Sequence, residues 1–173
     1  EPEGALVLLH GRGADERDLF PLLDMLDPER RLLGATARGP LSLPPGGAHW
    51  YVVQRVGYPD PQTFHSTYPE LAAWLDGMLA EHGIPPERTI LGGFSQGSML
   101  ATDVTLRLDR SPAALVIWSG TLLAEEEWRQ LAPRRAGLKV LQSHGRQDQI
   151  LPFQGSEWLR ELFTAAGLNV DFI

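Results

Sequence analysis

Residues 89–97 read Thr-Ile-Leu-Gly-Gly-Phe-Ser-Gln-Gly, an apolar run that leads into a G-x-S-x-G pattern centred on Ser95. A helix-like stretch follows at once, so the pattern places Ser95 on a tight turn between a strand and a helix. Such a turn crowds the positions two before and two after the serine, where Gly93 and Gly97 leave room. The pattern therefore predicts a nucleophilic Ser95 hydroxyl that stands clear of a sheet and close to a helix N-terminus. The alternative is a glycine-rich turn that merely exposes a serine.

The rest of the chain alternates between strand-like and helix-like runs. Strands are predicted at Gly4 to His10, Arg31 to Ala37, Thr89 to Phe94, Ala113 to Trp118, Lys139 to Ser143 and, just beginning, Asn169 to Ile173. Helices are predicted at Leu19 to Leu26, Pro69 to His82, Gln96 to Leu108, Glu125 to Leu131 and Gln154 to Ala166. Residues 38–62 are rich in Gly and Pro and predict a long irregular segment. This order predicts a single α/β domain over residues 1–173, with a mostly parallel sheet covered by helices on both faces.

Helical periodicity also predicts which side chains face the core. The inner face of the Pro69 to His82 helix includes Trp74 by this spacing, beside four aliphatic or methionine side chains. The inner face of the Gln154 to Ala166 helix includes Trp158 by the same spacing. Both tryptophans are therefore expected in the core.

Composition narrows the range of functions. The chain has 173 residues and a net charge of −7, which disfavours nucleic acid and anionic membranes as partners. No apolar run approaches the roughly 20 residues that span a bilayer, so stable membrane insertion is not expected. The absence of cysteine excludes disulfides and a cysteine nucleophile, and the histidines lack metal-ligand spacing. We therefore expect no metal and no cofactor, a cytoplasmic location by default, and a homodimer as a candidate assembly.

Three polar motifs follow predicted strands. They are His10-Gly11-Arg12-Gly13, the Ser95 turn, and His144-Gly145-Arg146-Gln147-Asp148. Because ligand sites of open parallel sheets form beyond the carboxyl ends of the strands, the three motifs are expected to meet at one edge.

The motifs supply most of the parts of an acyl-transfer site. A serine hydroxyl needs a neighbouring base, and the base needs an orienting carboxylate, a role that Asp148 can fill. The developing oxyanion needs two N–H donors, for which the backbone of Gln96 and of Arg12 are the candidates. The alternatives are a solvated loop aspartate at position 148 and a simple glycine turn at residues 10–13.

The sequence resembles the α/β-hydrolase superfamily, and within it the group of small carboxylesterases, lysophospholipases and acyl-protein thioesterases. The matching strings are LVLLHGRGAD, GGFSQGSM, WSG and HGRQDQILP. The resemblance implies that Ser95 is the nucleophile, that Asp148 is the triad acid, and that Arg12 and Gln96 donate to the oxyanion. Many relatives have an apolar residue in place of Arg12, which alters the charge at the mouth of the site without removing the backbone donor.

Five apolar side chains are candidates for the wall that holds the acyl group. They are Trp50, Tyr51, Trp118, Ile150 and Leu151; relatives place an aromatic pair in a loop aligned with the first two. Each of the five positions is equally compatible with the core. The ligand is therefore expected to be a small-molecule carboxylic ester, with thioesters and lysophospholipids as further candidates.

The catalytic histidine of this group follows the last strand, after the aspartate. The five histidines of this chain are His10, His49, His65, His82 and His144, and all of them precede Asp148. The favoured explanation is a chain that is incomplete at its C-terminal end, with the triad histidine beyond Ile173. The alternatives are an unusual base, His49 or His65, and a non-catalytic relative that acts as a ligand-binding or scaffold protein.

Overall fold

A six-stranded parallel sheet forms the centre of the protein. The structure is a computed structural model that describes residues 1–173. Its strands are β1 Gly4–Leu9, β2 Leu32–Ala37, β3 Leu41–Leu43, β4 Gly47–His49, β5 Val53–Arg55, β6 Tyr58–Pro59, β7 Thr89–Phe94, β8 Ala114–Trp118, β9 Lys139–Ser143 and β10 Asn169–Phe172. The main sheet has the order β10-β9-β8-β7-β1-β2, and all its neighbouring strands run parallel. Two antiparallel hairpins, β3–β4 and β5–β6, stand beside it. The predicted α/β fold is confirmed.

Five helices connect the strands: α1 Phe20–Leu26, α2 Pro61–Glu81, α3 Gln96–Arg107, α4 Glu125–Leu131 and α5 Phe153–Ala165. None of them combines the length and the hydropathy that crossing a membrane requires. Side chains of β1 alternate between two apolar clusters. Val7 and Leu9 join the large cluster that includes residues of α2, α3, α4 and α5, whereas Leu6 and Leu8 pack with α1. Apolar clusters thus lie on both faces of the sheet at β1, which is buried throughout.

The register of the sheet brings the three polar motifs to one edge. Leu9, the last residue of β1, pairs with Gly93, while Phe94 pairs with Trp118 and Trp118 with Ser143. Because these strands are parallel, the segments that follow β1, β7 and β9 leave the sheet on the same side.

The helix predicted at Pro69 begins eight residues earlier, at Pro61. Asp60 caps it by accepting a hydrogen bond of 2.9 Å from the Thr63 N–H, and Pro61 occupies the first turn, where no N–H is needed. Pro69 lies inside this helix. The segment 38–62 is also less irregular than predicted, because it contains both hairpins.

Two tryptophans expected in the core are exposed. Trp74 is 38% exposed and Trp158 is 54% exposed. Residues at spacings of three and four fill the buried stripes of the two helices: Leu71, Leu75 and Leu79 in α2, and Leu159, Leu162 and Phe163 in α5. Each tryptophan lies at the border of its stripe, where its large ring reaches the surface.

Candidate active site

Ser95 occupies a strained turn between β7 and α3. Its φ of 53° and ψ of −120° lie in a region that non-glycine residues rarely adopt. Hydrogen bonds on both sides hold this conformation: the Ser95 N–H donates to the Trp118 carbonyl at 2.8 Å, and the Ser95 carbonyl accepts from Ser98 and Met99. The turn therefore fixes the backbone and leaves the half-buried hydroxyl without a partner in the chain.

Close backbone packing explains the glycines on either side of Ser95. A Cβ atom on Gly97 would lie 2.2 Å from the Leu9 carbonyl oxygen and 2.4 Å from that of His10. A Cβ atom on Gly93 would lie 2.6 Å from the carbonyl carbon of Gly97. The first turn of α3 thus rests directly on the end of β1, and this is the steric role that the spacing predicts.

Two backbone N–H groups beside Ser95 are free. Neither the Arg12 N–H nor the Gln96 N–H donates to an acceptor in the chain, and both residues line the cavity that contains Ser95. The Arg12 loop is held by the β3–β4 hairpin, since the Gly13 N–H donates to the Ala48 carbonyl and the Ala48 N–H donates to the Ala14 carbonyl, each at 2.8 Å. Donors held in this way need little reorganisation to meet a developing oxyanion.

The Gln96 side chain has a role that the sequence reasoning missed. Its amide nitrogen donates to the Tyr51 carbonyl and its amide oxygen accepts from the Trp50 N–H, both at 2.8 Å and both buried. The Trp50 indole N–H donates to the His10 carbonyl at 2.8 Å. These bonds attach the segment after β4 to α3 and to the end of β1. The only signal in the sequence is a polar side chain directly after the serine, at a position that a helix buries.

A cavity of about 400 Å³ opens at Ser95. Fourteen residues line it, eight of them hydrophobic. The predicted wall residues Tyr51, Ile150 and Leu151 are among them. The sequence reasoning missed the contributions of Met99, of Leu123 and of the β5–β6 hairpin, because that hairpin lies in the segment predicted to be irregular.

Trp50 and Trp118 do not line this cavity, which corrects two of the five predicted wall residues. Trp50 is 2% exposed and packs against the His10 ring, with 5.0 Å between ring centroids. The Trp118 side chain packs with the cluster of Leu6, Leu8, Leu19 and Leu23. Only the Trp118 carbonyl reaches the site, because successive side chains of a strand point to opposite faces.

The Tyr51 phenol is buried and has no hydrogen-bond partner. Burial raises the pKa of Tyr51, and the nearby Asp103 carboxylate adds to the effect, so the phenol stays protonated. Asp103 is itself fully buried: it accepts from the Trp128 indole at 2.9 Å and pairs with Arg107, which also contacts Glu127. This network joins α3 to α4 behind the cavity.

Asp148 lies in the loop after β9, beside two of the cavity residues. One carboxylate oxygen accepts from the N–H groups of Ile150 and Leu151, each at 2.9 Å, and the other lies 3.6 Å from His144 Nε2. The Leu151 hydrogen bond is the main reason that the pKa of Asp148 is lowered, and the Ile150 N–H and His144 contribute. The carboxyl group is therefore ionised, and its second oxygen forms no hydrogen bond.

None of the five histidines forms a hydrogen bond with Ser95. Both ring nitrogens of His10 are occupied, by the Gly11 carbonyl and the Gly39 N–H. His144 donates to the Leu151 carbonyl, and His65 pairs with Glu127 at 3.1 Å. His82 ends α2 on the surface.

His49 and His144 are both buried, and the Nδ1 of each has no hydrogen-bond partner. Burial lowers the pKa of His49, and the positive charge of Arg12 lowers it further. The cavity residues do not include it.

Comparison with known proteins gives consistent matches, two of which cover all or nearly all of the chain. The family model for phospholipase/carboxylesterase matches residues 1–173. Acyl-protein thioesterase 1 of Debaryomyces hansenii is 26% identical over 192 residues, which cover 98% of this chain and 81% of that protein. Acyl-protein thioesterase 1 of Eremothecium gossypii is 32% identical over 83 residues, covering 48% and 35%.

Solved structures are similar as well. The crystal structure of esterase PE8 matches with a TM-score of 0.81 and 28% identity, over 99% of this chain and 83% of that one. The Bacillus cereus carboxylesterase matches with a TM-score of 0.82 and 25% identity, over 98% and 77%. The matched region includes the Ser95 turn, the Arg12 loop and Asp148.

Proposed function

The chain belongs to the phospholipase/carboxylesterase family and is an esterase-type hydrolase, and we propose that it cleaves carboxylic esters through an acyl-enzyme on Ser95. One observation carries the proposal. The strained turn at Ser95 opens on a largely apolar cavity to which two residues with free backbone N–H groups also belong. A hydroxyl, two donors and an apolar wall are three of the parts that acyl transfer from an ester requires, and a general base is the fourth.

The proposed reaction has two steps. The Ser95 oxygen attacks the ester carbonyl carbon while a base takes the hydroxyl proton, and the N–H groups of Arg12 and Gln96 bind the oxyanion. The carbonyl reforms as the bond to the alcohol oxygen breaks and the base returns the proton to that oxygen. Water then attacks the acyl-enzyme by the same route, releasing the acid and restoring Ser95.

We propose that the base is a histidine supplied by a segment outside residues 1–173. The hydrogen bonds of the five histidines support this, since none involves Ser95. Asp148 is ionised, and its second carboxylate oxygen forms no hydrogen bond, so that oxygen is available to orient such a histidine. His49 is the competing candidate within the chain: its Nδ1 is buried without a partner, as is that of His144, whose Nε2 bonds to the Leu151 carbonyl.

A thioester is the second candidate for the scissile bond. The two relatives of this chain from Debaryomyces hansenii and Eremothecium gossypii are named acyl-protein thioesterase 1. The proposed oxyanion donors bind the carbonyl oxygen and make no contact with the leaving group, so the same site suits either bond.

The test uses the natural full-length protein with p-nitrophenyl butyrate and with butyryl thiocholine. We expect Ser95→Ala to abolish hydrolysis and to abolish labelling of the protein by a fluorophosphonate, whereas Ser66→Ala, a surface serine on α2, changes neither. Equal rates for the natural protein and Ser95→Ala would disprove the serine mechanism and favour a ligand-binding relative. Loss of activity in His49→Gln, with the fold retained, would instead place the base within the chain.

A further inference from the structure

The cavity at Ser95 is positively charged although the chain is acidic. The chain carries 22 acidic and 15 basic residues. The cavity lining includes Arg12 and Arg55 and contains no aspartate or glutamate. The charged residues that line the cavity are therefore opposite in sign to the net charge of the whole protein.

Neither cavity arginine has a carboxylate partner, whereas many other arginines of the chain do. Ion pairs with Asp or Glu occupy Arg30, Arg31, Arg38, Arg107, Arg110 and Arg129. The acidic side chains close to the cavity in sequence are engaged elsewhere. Asp148 accepts from backbone N–H groups and Asp60 caps α2, while Glu125 pairs with Arg129 and Asp15 lies 3.7 Å from Arg38. No carboxylate of the chain thus forms a salt bridge with either cavity arginine.

The two arginines come from different segments and meet at the same cavity. Arg12 lies in the loop whose backbone supplies a proposed oxyanion donor. Its positive charge contributes to the lowered pKa of the buried His49. Arg55 ends β5, and its guanidinium lies 3.8 Å from the centre of the Tyr58 ring, which limits its orientations. Both arginines therefore line the cavity that contains Ser95 while they remain exposed to solvent.

We propose that the ester cleaved at Ser95 carries a second, anionic group, a carboxylate or a phosphate, which Arg12 and Arg55 bind. The inference rests on the proposed function of Ser95. Guanidinium groups bind both anions through paired N–H donors. The apolar remainder of the cavity, including Met99, Leu123 and Ile150, contacts the hydrocarbon part of the same substrate.

The test compares charged and neutral esters of matched size on the natural full-length protein. One arm uses p-nitrophenyl monoadipate against p-nitrophenyl hexanoate, and the other uses butyrylglycerol phosphate against butyrylglycerol, with uncatalysed rates subtracted. We expect kcat/KM to favour the anionic ester in one arm by roughly threefold to tenfold, an advantage that falls as salt is added. The arm that responds identifies the anion as carboxylate or phosphate.

The variants are Arg12→Gln, Arg55→Gln and the control Arg146→Gln. Arg146 is also exposed and also lies over an aromatic ring, that of Phe153, but it does not line the cavity. We expect each cavity substitution to lower the anionic-to-neutral ratio about threefold, in keeping with a solvent-accessible ion pair, and the control to leave the ratio unchanged.

Two outcomes overturn the inference and are distinguishable. If the protein hydrolyses neutral esters through Ser95 but shows no preference for the anionic ester in either arm, the proposed function stands and the anion site is wrong. If Ser95→Ala hydrolyses every ester as fast as the natural protein, the proposed function fails and the inference fails with it.

Discussion

Gln96 and Tyr51 are joined by a buried hydrogen bond of 2.8 Å between the glutamine side chain and the tyrosine carbonyl. The same glutamine accepts from the Trp50 N–H, so one side chain satisfies two backbone groups of a segment 45 residues earlier in the chain. The position after the serine thus has two tasks. Its free backbone N–H is a proposed oxyanion donor, and its side chain holds a wall of the cavity in place.

Replacing Gln96 with leucine separates these tasks, because the backbone N–H remains. We expect Gln96→Leu to lower the free energy of unfolding by about 2–4 kcal/mol, since a buried N–H and a buried carbonyl lose their partners. We also expect a higher KM, because the segment that loses these hydrogen bonds contains Tyr51, which lines the cavity. Urea denaturation and ester kinetics measure the two effects. Gln130→Leu, an exposed position in α4, is the control, and an equal loss in both variants would contradict the role of Gln96.

Gly97 and Gly77 are both helical glycines, yet the structure predicts opposite effects for them. A methyl group at Gly97 meets carbonyl oxygens at 2.2 Å and 2.4 Å, whereas a methyl group at Gly77 meets nothing within 4 Å. We expect Gly97→Ala to destabilise the protein by about 1–3 kcal/mol or more and to abolish esterase activity. Gly77→Ala should stabilise it by roughly 0.5–1 kcal/mol. Thermal unfolding compares them, and a tolerated alanine at position 97 would refute the packing argument.

The sequence was sufficient for the parts of the fold that local patterns determine. The strand Thr89–Phe94 and the helix Glu125–Leu131 have the predicted bounds, because each is a short periodic run between clear breaks. The start of α2 was missed because Pro69 resembles a first-turn proline, while the true start depends on the Asp60 cap. Tertiary packing decides which prolines a long helix tolerates, and one sequence does not contain that information.

The residues of the candidate site likewise fall into those that local sequence predicts and those that depend on tertiary contacts. Ser95, Gly93 and Gly97 were predictable, because the turn imposes its requirements on neighbours in the chain. The cavity wall was predictable only in part: Arg55 and Tyr58 come from a hairpin whose position depends on contacts made after folding. Trp118 was misassigned because the direction of a strand-end side chain depends on the sheet face, which a continuous apolar run does not reveal.

Asp103 is expected to be among the most sensitive residues for stability. Its buried carboxylate receives the Trp128 indole N–H and the Arg107 guanidinium. We expect Asp103→Ala to lower the free energy of unfolding by about 2–4 kcal/mol, because the buried Trp128 indole loses its acceptor and Arg107 keeps only Glu127 as a carboxylate partner. Asp103→Asn, which keeps an acceptor for the indole, should lose less. Asp76→Ala, on the exposed side of α2, should be nearly neutral, and a loss there as large as that of Asp103→Ala would contradict the argument.

Asp148 is expected to make stability depend on acid pH. Its folded pKa is lowered, chiefly by the Leu151 N–H, so its ionised form binds the loop more tightly than its protonated form. A group with a depressed folded pKa stabilises the protein above its unfolded pKa of about 3.9, and that contribution is lost as the pH falls through the folded pKa. The natural protein should therefore exceed Asp148→Asn in stability at about pH 6, and the difference should shrink toward about pH 3. Urea midpoints of both proteins across this range test the prediction, and a difference that stays constant or grows on acidification would refute it.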